Sequence, residues 1–144
     1  MTAVTPPGAV LMDHVGIDVG DLDAQIDFYV RAFDLAVEWR ADLPDLRIEI
    51  VFLHSAEGWR IELFHRRGAT PSPALTPDTQ HDVLGIGHIA FTCSSAEHVR
   101  AVHDRLVGLG ATSHLPPQPS PEPSLLLAYL ADPEGNLIEL VERH

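Results

Sequence analysis

The apolar and polar positions in the first half of the chain predict one strand, one helix and three further strands. Residues 11–19 are rich in Val and Ile and alternate closely enough to predict a strand, with His14 pointing away from its apolar neighbours. Asp21 is a typical helix N-cap, and apolar residues follow it at helical spacing as far as Phe33. Turn-forming residues then separate three more apolar segments, which predict strands at 35–40, 47–54 and 59–65.

The second half of the chain repeats this order after a connection rich in proline and glycine. Residues 66–82 have no periodicity and predict a linker within one domain, whereas residues 1–8 predict a loose arm. Beyond the linker, Ser94 and Ser95 are typical helix caps. Residues 116–123 are too rich in proline to sustain a strand ladder, which predicts an exposed loop near a sheet edge. The remaining pattern predicts a strand, a helix and three strands, at 83–93, 96–109, 111–115, 125–131 and 136–142.

A sequence repeat indicates that the two halves are copies of one unit. Glycine, two further residues and then Ile-Glu-Leu occur twice, so that Glu62 and Glu139 lie 77 positions apart (139 minus 62). His14 and His88 lie at the similar separation of 74 positions (88 minus 14). Such an offset indicates tandem supersecondary units, each too small to bury a good core alone. The sequence therefore predicts a single α+β domain of two βαβββ modules, with the domain at 1–144 and the modules at about 10–65 and 83–143.

Composition narrows the classes of function. The 144 residues, 45% of them hydrophobic, suit one ordinary globular domain. A net charge of −12, with no lysine and no cluster of arginines, argues against a nucleic-acid-binding protein. No apolar run approaches the roughly 20 residues that span a bilayer. Because Cys93 is the single cysteine and no signal peptide is indicated, we expect a cytoplasmic protein. With nucleic acid and membrane disfavoured as partners, we expect it to act on a small molecule.

The paired histidines and glutamates are the candidate metal ligands. Two imidazoles and two carboxylates on equivalent strands of two related modules can converge on one point where the modules meet. Such a set leaves two positions of an octahedron open, and it suits nickel, cobalt, manganese, iron(II) or zinc better than calcium. Both glutamates lie among apolar neighbours, where an unpaired buried carboxylate would cost several kcal/mol. The sequence therefore predicts one divalent metal ion bound by four side chains, those of His14, Glu62, His88 and Glu139.

Three motifs resemble a known family over nearly the whole chain. They are Asp-His-Val at 13–15, Gly-His-Ile-Ala-Phe at 87–91 and Asp-Pro-Glu-Gly-Asn-Leu-Ile-Glu-Leu at 132–140. Together they resemble the vicinal oxygen chelate superfamily, which includes glyoxalase I, methylmalonyl-CoA epimerase, extradiol dioxygenases and bleomycin- or fosfomycin-resistance proteins. The resemblance implies that two βαβββ modules form a curved mixed sheet around a metal cleft. It also implies the same four ligands, position by position.

The ligand set narrows the branch within this superfamily. Its extradiol dioxygenases and fosfomycin-resistance enzymes have no carboxylate at the position of Glu62, whereas the glyoxalase I and epimerase branches carry an acid or amide there. The 26 positions from Glu62 to His88 (88 minus 62) and the sequence around Glu49 look more like methylmalonyl-CoA epimerase. The resemblance thus implies an isomerase in which Glu49 and Glu139 are the acid/base pair. Two carboxylates on opposite faces of a planar enolate would remove and return the proton.

Several alternatives remain open at this point. A glyoxalase I-like lyase needs the same metal site and the same kind of proton transfer. A drug-binding resistance protein would use the cleft without chemistry, and an extradiol-type dioxygenase would need an open position for oxygen. The absence of lysine argues against a CoA substrate, because few cations are left to bind its phosphates. Curved open sheets leave edges that need cover, and the family often pairs chains, so we expect a homodimer.

Overall fold

The computed structural model describes residues 8–144 and consists of two βαβββ modules in tandem. The first module contains β1 (His14–Asp18), α1 (Leu22–Phe33), β2 (Ala36–Leu43), β3 (Ile48–His54) and β4 (Arg60–Arg66). The second contains β5 (Ile89–Cys93), α2 (Ala96–Gly108), β6 (Thr112–Pro119), β7 (Leu126–Ala131) and β8 (Leu137–Glu142). The predicted order of elements is confirmed, and of the predicted arm only Gly8 lies within the described residues.

Each module forms one four-stranded mixed sheet with the same strand order. The order is β1-β4-β3-β2 in the first module, called sheet A, and β5-β8-β7-β6 in the second, called sheet B. The first strand of each module runs parallel to the last, and the other neighbours are antiparallel. Gly16 lies beside Glu62 and Ala90 lies beside Glu139, so the two glutamates occupy equivalent places.

Both helices begin where the sequence indicates. The side chain of Asp21 accepts a hydrogen bond from the backbone N–H of Ala24 at 3.0 Å, and Ser95 Oγ accepts one from the N–H of His98 at 3.0 Å. Each bond satisfies a backbone donor that the first helical turn leaves without an intrahelical partner. The helix starts could therefore be predicted from local chemistry alone.

The hydrophobic core lies on the helix-facing sides of both sheets. Ile61 and Leu63 of β4 and Ile138 and Leu140 of β8 are all within this single buried cluster. The rings of Phe33 in α1 and Phe91 in β5 stack at 4.0 Å, joining the modules. Because side chains alternate along a strand, the glutamate between each pair of core residues points to the opposite face. We call this opposite face of each sheet its site face.

A buried polar network also joins the two modules. Asp132, in the turn between β7 and β8, is 2% exposed and accepts hydrogen bonds from Tyr29 Oη at 2.7 Å and from Gln25 Nε2 at 2.9 Å. Glu134 in the same turn accepts bonds from the backbone N–H groups of Gly20 and Asp21. Burial, reinforced by the Asp132 carboxylate, raises the pKa of Tyr29 well above its usual value. The second module therefore contacts the start and the body of α1 directly.

Two predicted segments differ from the structure. The predicted loop at 116–123 is wrong over its first part, because β6 continues through the prolines to Pro119. β6 is an edge strand of sheet B, and its pairing with β7 is irregular at two places. Because an edge strand has only one neighbour, the N–H groups that its prolines lack are not needed for a second ladder. The strand predicted to begin at residue 83 begins only at Ile89, and Val83, Leu84 and Ile86 before it are exposed. No helix of residues 8–144 is long and apolar enough to cross a membrane.

Candidate metal centre

The first module places one predicted histidine against one predicted glutamate. His14 Nε2 lies 2.9 Å from Glu62 Oε2, and His14 Nδ1 lies 2.6 Å from Asp13 Oδ2. A β-carbon at Gly16 would lie 3.3 Å from the Phe64 ring and 3.8 Å from Glu62 Oε2, so glycine avoids a tight contact with Phe64 beside the pair. The His14 imidazole, followed by the Arg60 guanidinium, holds the pKa of Asp13 below its usual range through hydrogen bonds.

An aromatic wall lies beside this pair on the site face of sheet A. Phe52 pairs with Glu62 across β3 and β4, and its ring meets the His14 ring edge-on at 4.9 Å. The Arg60 guanidinium lies 4.5 Å from the centre of the Phe52 ring, on which a cation is favoured. Trp39 of β2 continues the wall at 5.1 Å from Phe52 and remains 42% exposed. This face therefore offers an accessible apolar surface next to the polar pair.

The second module repeats the pair with different neighbours. His88 Nε2 lies 3.0 Å from Glu139 Oε2, and His88 Nδ1 lies 2.8 Å from Gln80 Oε1. Tyr129 occupies on β7 the position that Phe52 occupies on β3, opposite the glutamate, and its hydroxyl lies 3.4 Å from His88 Nε2. Burial, followed by the Glu139 carboxylate, raises the pKa of Tyr129. A cavity of about 680 Å³ lies beside Tyr129 and Glu139, bordered by the proline-rich end of β6.

The chemistry of each pair fits a metal ligand set. The Asp13 carboxylate and the Gln80 amide oxygen are acceptors, and a histidine that donates to its acceptor from Nδ1 turns its Nε2 lone pair toward the neighbouring carboxylate oxygen. The Nε2 atom and the carboxylate oxygen lie 2.9 Å apart in the first pair and 3.0 Å apart in the second, and both kinds of atom bind divalent metal ions. Metal-bound histidines are commonly oriented in this way by an acceptor on the other ring nitrogen.

The four predicted ligands come together as two pairs and not as one cluster. Within residues 8–144, no group of three or more histidine, cysteine, aspartate or glutamate side chains converges on a point that could hold a metal ion. The reason is architectural, because the modules of one chain contact each other through their helix-facing sides. The site faces that carry the pairs point away from this contact.

The position of Glu49 does not support its predicted role as a base. Glu49 pairs with His65 across β3 and β4, whereas Glu62 pairs with Phe52, so the two carboxylates lie on opposite faces of sheet A. Glu49 instead forms an ion pair with Arg40 at 3.0 Å, and Arg40 also contacts Asp23 of α1. Glu49 therefore faces away from the histidine–glutamate pair of its module, and its predicted role as a base is corrected.

Sequence reasoning missed three neighbours of the histidines. Asp13 directly precedes His14 in the first motif, and its adjacency was a usable signal. Tyr129 could have been found by aligning the modules, because β7 corresponds to β3. Gln80 lies in the linker, where neither periodicity nor repetition marks it, and only the fold brings it to His88.

Comparison with known proteins identifies the family of this chain. The family model described as the Glyoxalase/Bleomycin resistance protein/Dioxygenase superfamily matches residues 11–140. A probable lactoylglutathione lyase of Synechocystis is 28% identical over 132 residues, which cover 90% of this chain and 92% of the relative. A lactoylglutathione lyase of Arabidopsis thaliana is 26% identical over 134 residues, and the match covers 90% of this chain but only 43% of the relative.

Solved structures show the same relationship. The crystal structure of glyoxalase I from Zea mays superposes with a TM-score of 0.73 at 26% identity, covering 92% of this chain and 44% of the maize chain. The chain thus spans less than half the length of both plant relatives. The family match, the duplicated sheets and the paired histidines and glutamates lead to one conclusion. The chain belongs to the Glyoxalase/Bleomycin resistance protein/Dioxygenase superfamily.

Proposed function

We propose that the chain is a divalent-metal-dependent lyase that isomerises the adduct of a thiol and a 2-oxoaldehyde into a 2-hydroxy thioester. The relatives named above are lactoylglutathione lyases, which favours this alternative over the epimerase that the sequence resemblance put first. The observation that carries the proposal is the pair of matching histidine–glutamate contacts, one on the site face of each sheet.

The metal site is completed by two chains in this proposal. His14 and Glu62 of one chain would bind the same ion as the second pair, supplied by His88 and Glu139 of a partner copy. A bound divalent ion, of nickel, cobalt, manganese, zinc or iron(II), would polarise the two oxygens of the adduct and stabilise negative charge on them. In a twofold dimer the same contact occurs twice, so two such sites form.

Exposed apolar residues support a homodimer of this kind. Among residues 8–144, β1 and β5, which directly follow or contain the two histidines, are edge strands of their sheets and leave one side without a strand partner. The segments just before His14 and His88 expose a set of large apolar side chains, namely Val10, Leu11, Met12, Val83, Leu84 and Ile86. We call each histidine–glutamate pair a half-site. A second copy that covers these segments would also bring the first half-site of one chain to the second half-site of the other.

The proton transfer needs one carboxylate on this account. Glu139 would remove the proton from the carbon that carries sulfur and hydroxyl, and would return it to the neighbouring carbonyl carbon. The hydroxyl proton passes to the ketone oxygen, so the hydroxyl carbon becomes the thioester carbonyl, the ketone becomes a secondary alcohol, and no external oxidant is needed. Epimerisation was expected to use Glu49 as a second carboxylate across the substrate, but Glu49 faces the other side of sheet A. The geometry therefore favours a shift between adjacent carbons.

The test is a direct comparison of the two reactions. Protein loaded with Ni²⁺ or Zn²⁺ is given methylglyoxal with glutathione, and thioester formation is followed by ultraviolet absorbance. In parallel it is given a 2-methyl-branched CoA thioester in D₂O, and deuterium at the acidic carbon is measured. We expect thioester formation that chelation abolishes, with a loss of at least about 100-fold in Glu139→Gln. Deuterium exchange without thioester formation would return the assignment to an epimerase. The absence of both reactions would reject the lyase proposal.

A further inference from the structure

We propose that Gln80 is a positioning residue for the metal centre, because it fixes the tautomer and orientation of His88. The linker between the modules then contributes a side chain to the site in addition to connecting the modules. This inference rests on the proposed metal-binding role of His88, but its central observation, a ring tautomer, exists in the metal-free protein as well.

The linker holds Gln80 in one place. Gln80 is 5% exposed and lies in the 3-10 helix Thr79–Asp82. Thr76 and Thr79 exchange hydrogen bonds between backbone N–H and side-chain oxygen, at 2.8 and 3.0 Å, and close the turn that precedes it. Backbone N–H of Gln80 also donates to the carbonyl of Thr76 at 3.0 Å. Hydrogen bonds within the linker thus fix the position of Gln80 independently of its contact with His88.

The amide of Gln80 has a defined orientation. Its Nε2 donates to the carbonyl oxygen of Pro77 at 2.9 Å, so its Oε1 is the atom that faces His88 Nδ1 at 2.8 Å. An amide oxygen can only accept, which requires a proton on His88 Nδ1. In that tautomer Nε2 turns its lone pair toward Glu139 Oε2 at 3.0 Å and the Tyr129 hydroxyl at 3.4 Å, and it could serve as a metal ligand.

Gly87 leaves the space that this contact requires. A β-carbon at Gly87 would lie 2.4 Å from Gln80 Oε1, closer than side-chain atoms approach one another. Gly87 does not have a positive φ, so alanine there would perturb the amide contact without straining the backbone. Substitution of Gly87 therefore tests the same contact from its other side, without removing Gln80.

The first module solves the same problem differently. His14 receives its acceptor from the neighbouring residue Asp13, whose carboxylate is largely exposed and also binds Arg60. The acceptor for His88 is a buried neutral amide that comes from outside both modules. Removing Gln80 should therefore affect the His88 half-site alone.

The experiment measures the His88 tautomer first and metal affinity second. Uniformly ¹⁵N-labelled, metal-free protein in alkaline buffer gives imidazole signals, and the His88 signal is assigned by its loss in His88→Ala. We expect protonated Nδ1 in the wild type, and a shift toward protonated Nε2 in Gln80→Leu and in Gly87→Ala. Gln80→Glu keeps an acceptor oxygen and should restore the wild-type tautomer. Gln118→Leu is the matched control, because Gln118 borders the same cavity as Gln80, whereas Gln80 is the residue bonded to His88 Nδ1.

Zn²⁺ titration of the same variants completes the test. We expect affinity to fall about 10- to 100-fold in Gln80→Leu and Gly87→Ala, with no change in Gln118→Leu. The double variant Gln80→Leu/Gly87→Ala should bind Zn²⁺ no more weakly than the weaker of the two single variants, because both substitutions disrupt the same Gln80–His88 contact. If the His88 tautomer is unchanged in Gln80→Leu, and the variant has the same melting temperature as the wild type, the inference is overturned. A changed tautomer with unchanged Zn²⁺ affinity would show that Gln80 orients His88 but that His88 is not a metal ligand. That result would contradict the proposed function and not the contact between Gln80 and His88.

Discussion

Replacing Asp132 by alanine should strongly destabilise the protein through the contact between its modules. The Asp132 carboxylate accepts bonds from the side chains of Tyr29, Gln25 and Asn136 and from the backbone N–H groups of Glu134 and Asn136. Its removal leaves the fully buried Tyr29 hydroxyl and Gln25 amide without this acceptor, at about 1–3 kcal/mol each. Together with the loosened turn, we expect a loss of roughly 3–5 kcal/mol in the free energy of unfolding.

Urea unfolding followed by circular dichroism at fixed protein concentration measures this loss. The first module supplies a matched control, because Ser55 holds the equivalent turn position, 77 residues earlier (132 minus 55). Within the described part of the chain, Ser55 Oγ accepts a single hydrogen bond, from the local N–H of Trp59 at 3.2 Å, so Ser55→Ala should cost about 1 kcal/mol. Tyr29→Phe, which removes one donor, should lie between the two. If Asp132→Ala lost no more than Ser55→Ala, the network would not be holding the modules together.

Three further predictions concern single residues. The raised pKa of Tyr29 means that its contribution to stability is complete below the unfolded value of about 10 and is lost as pH rises beyond it. Unfolding free energies at about pH 8 and about pH 11 should therefore fall less in Tyr29→Phe than in the wild type. Glu49→Gln should keep metal affinity and turnover within about twofold, since Glu49 pairs with Arg40 at the surface; a larger loss in the thioester assay would return Glu49 to the site. Arg60→Gln should weaken Zn²⁺ binding modestly, about two- to fivefold, by releasing Asp13 from one of its partners, which calorimetry would detect and which unchanged affinity would contradict.

Much of the fold followed from patterns that depend on local chemistry. The helix starts at Asp21 and Ser95 and the repeated Ile-Glu-Leu strands could be predicted because caps and alternation act over a few residues. β6 could not, because whether prolines are tolerated depends on the strand being at the edge of its sheet. That position is a property of the whole topology.

The site was predictable as a ligand set but not as an arrangement. Repetition alone identifies Glu62 and Glu139 as equivalent, and the structure gives each a histidine partner. The face of Glu49 depends on the register between β3 and β4, and a shift of one residue reverses it. Likewise, a duplicated sequence does not specify which faces of the two modules meet, so it left open whether four ligands converge within one chain.

Subunit complementation tests the central claim of a metal site shared by two chains most directly. His14→Ala and His88→Ala proteins are purified separately, then mixed, unfolded and refolded together, and high-affinity Zn²⁺ sites are counted before and after mixing. Each variant alone lacks a ligand in both sites of its dimer, whereas a mixed dimer has one intact site, built from the unmutated histidine of each chain. With equal amounts and random pairing, we predict recovery of roughly a quarter of the wild-type sites. A site contained within one chain would recover none, and that result would contradict the account.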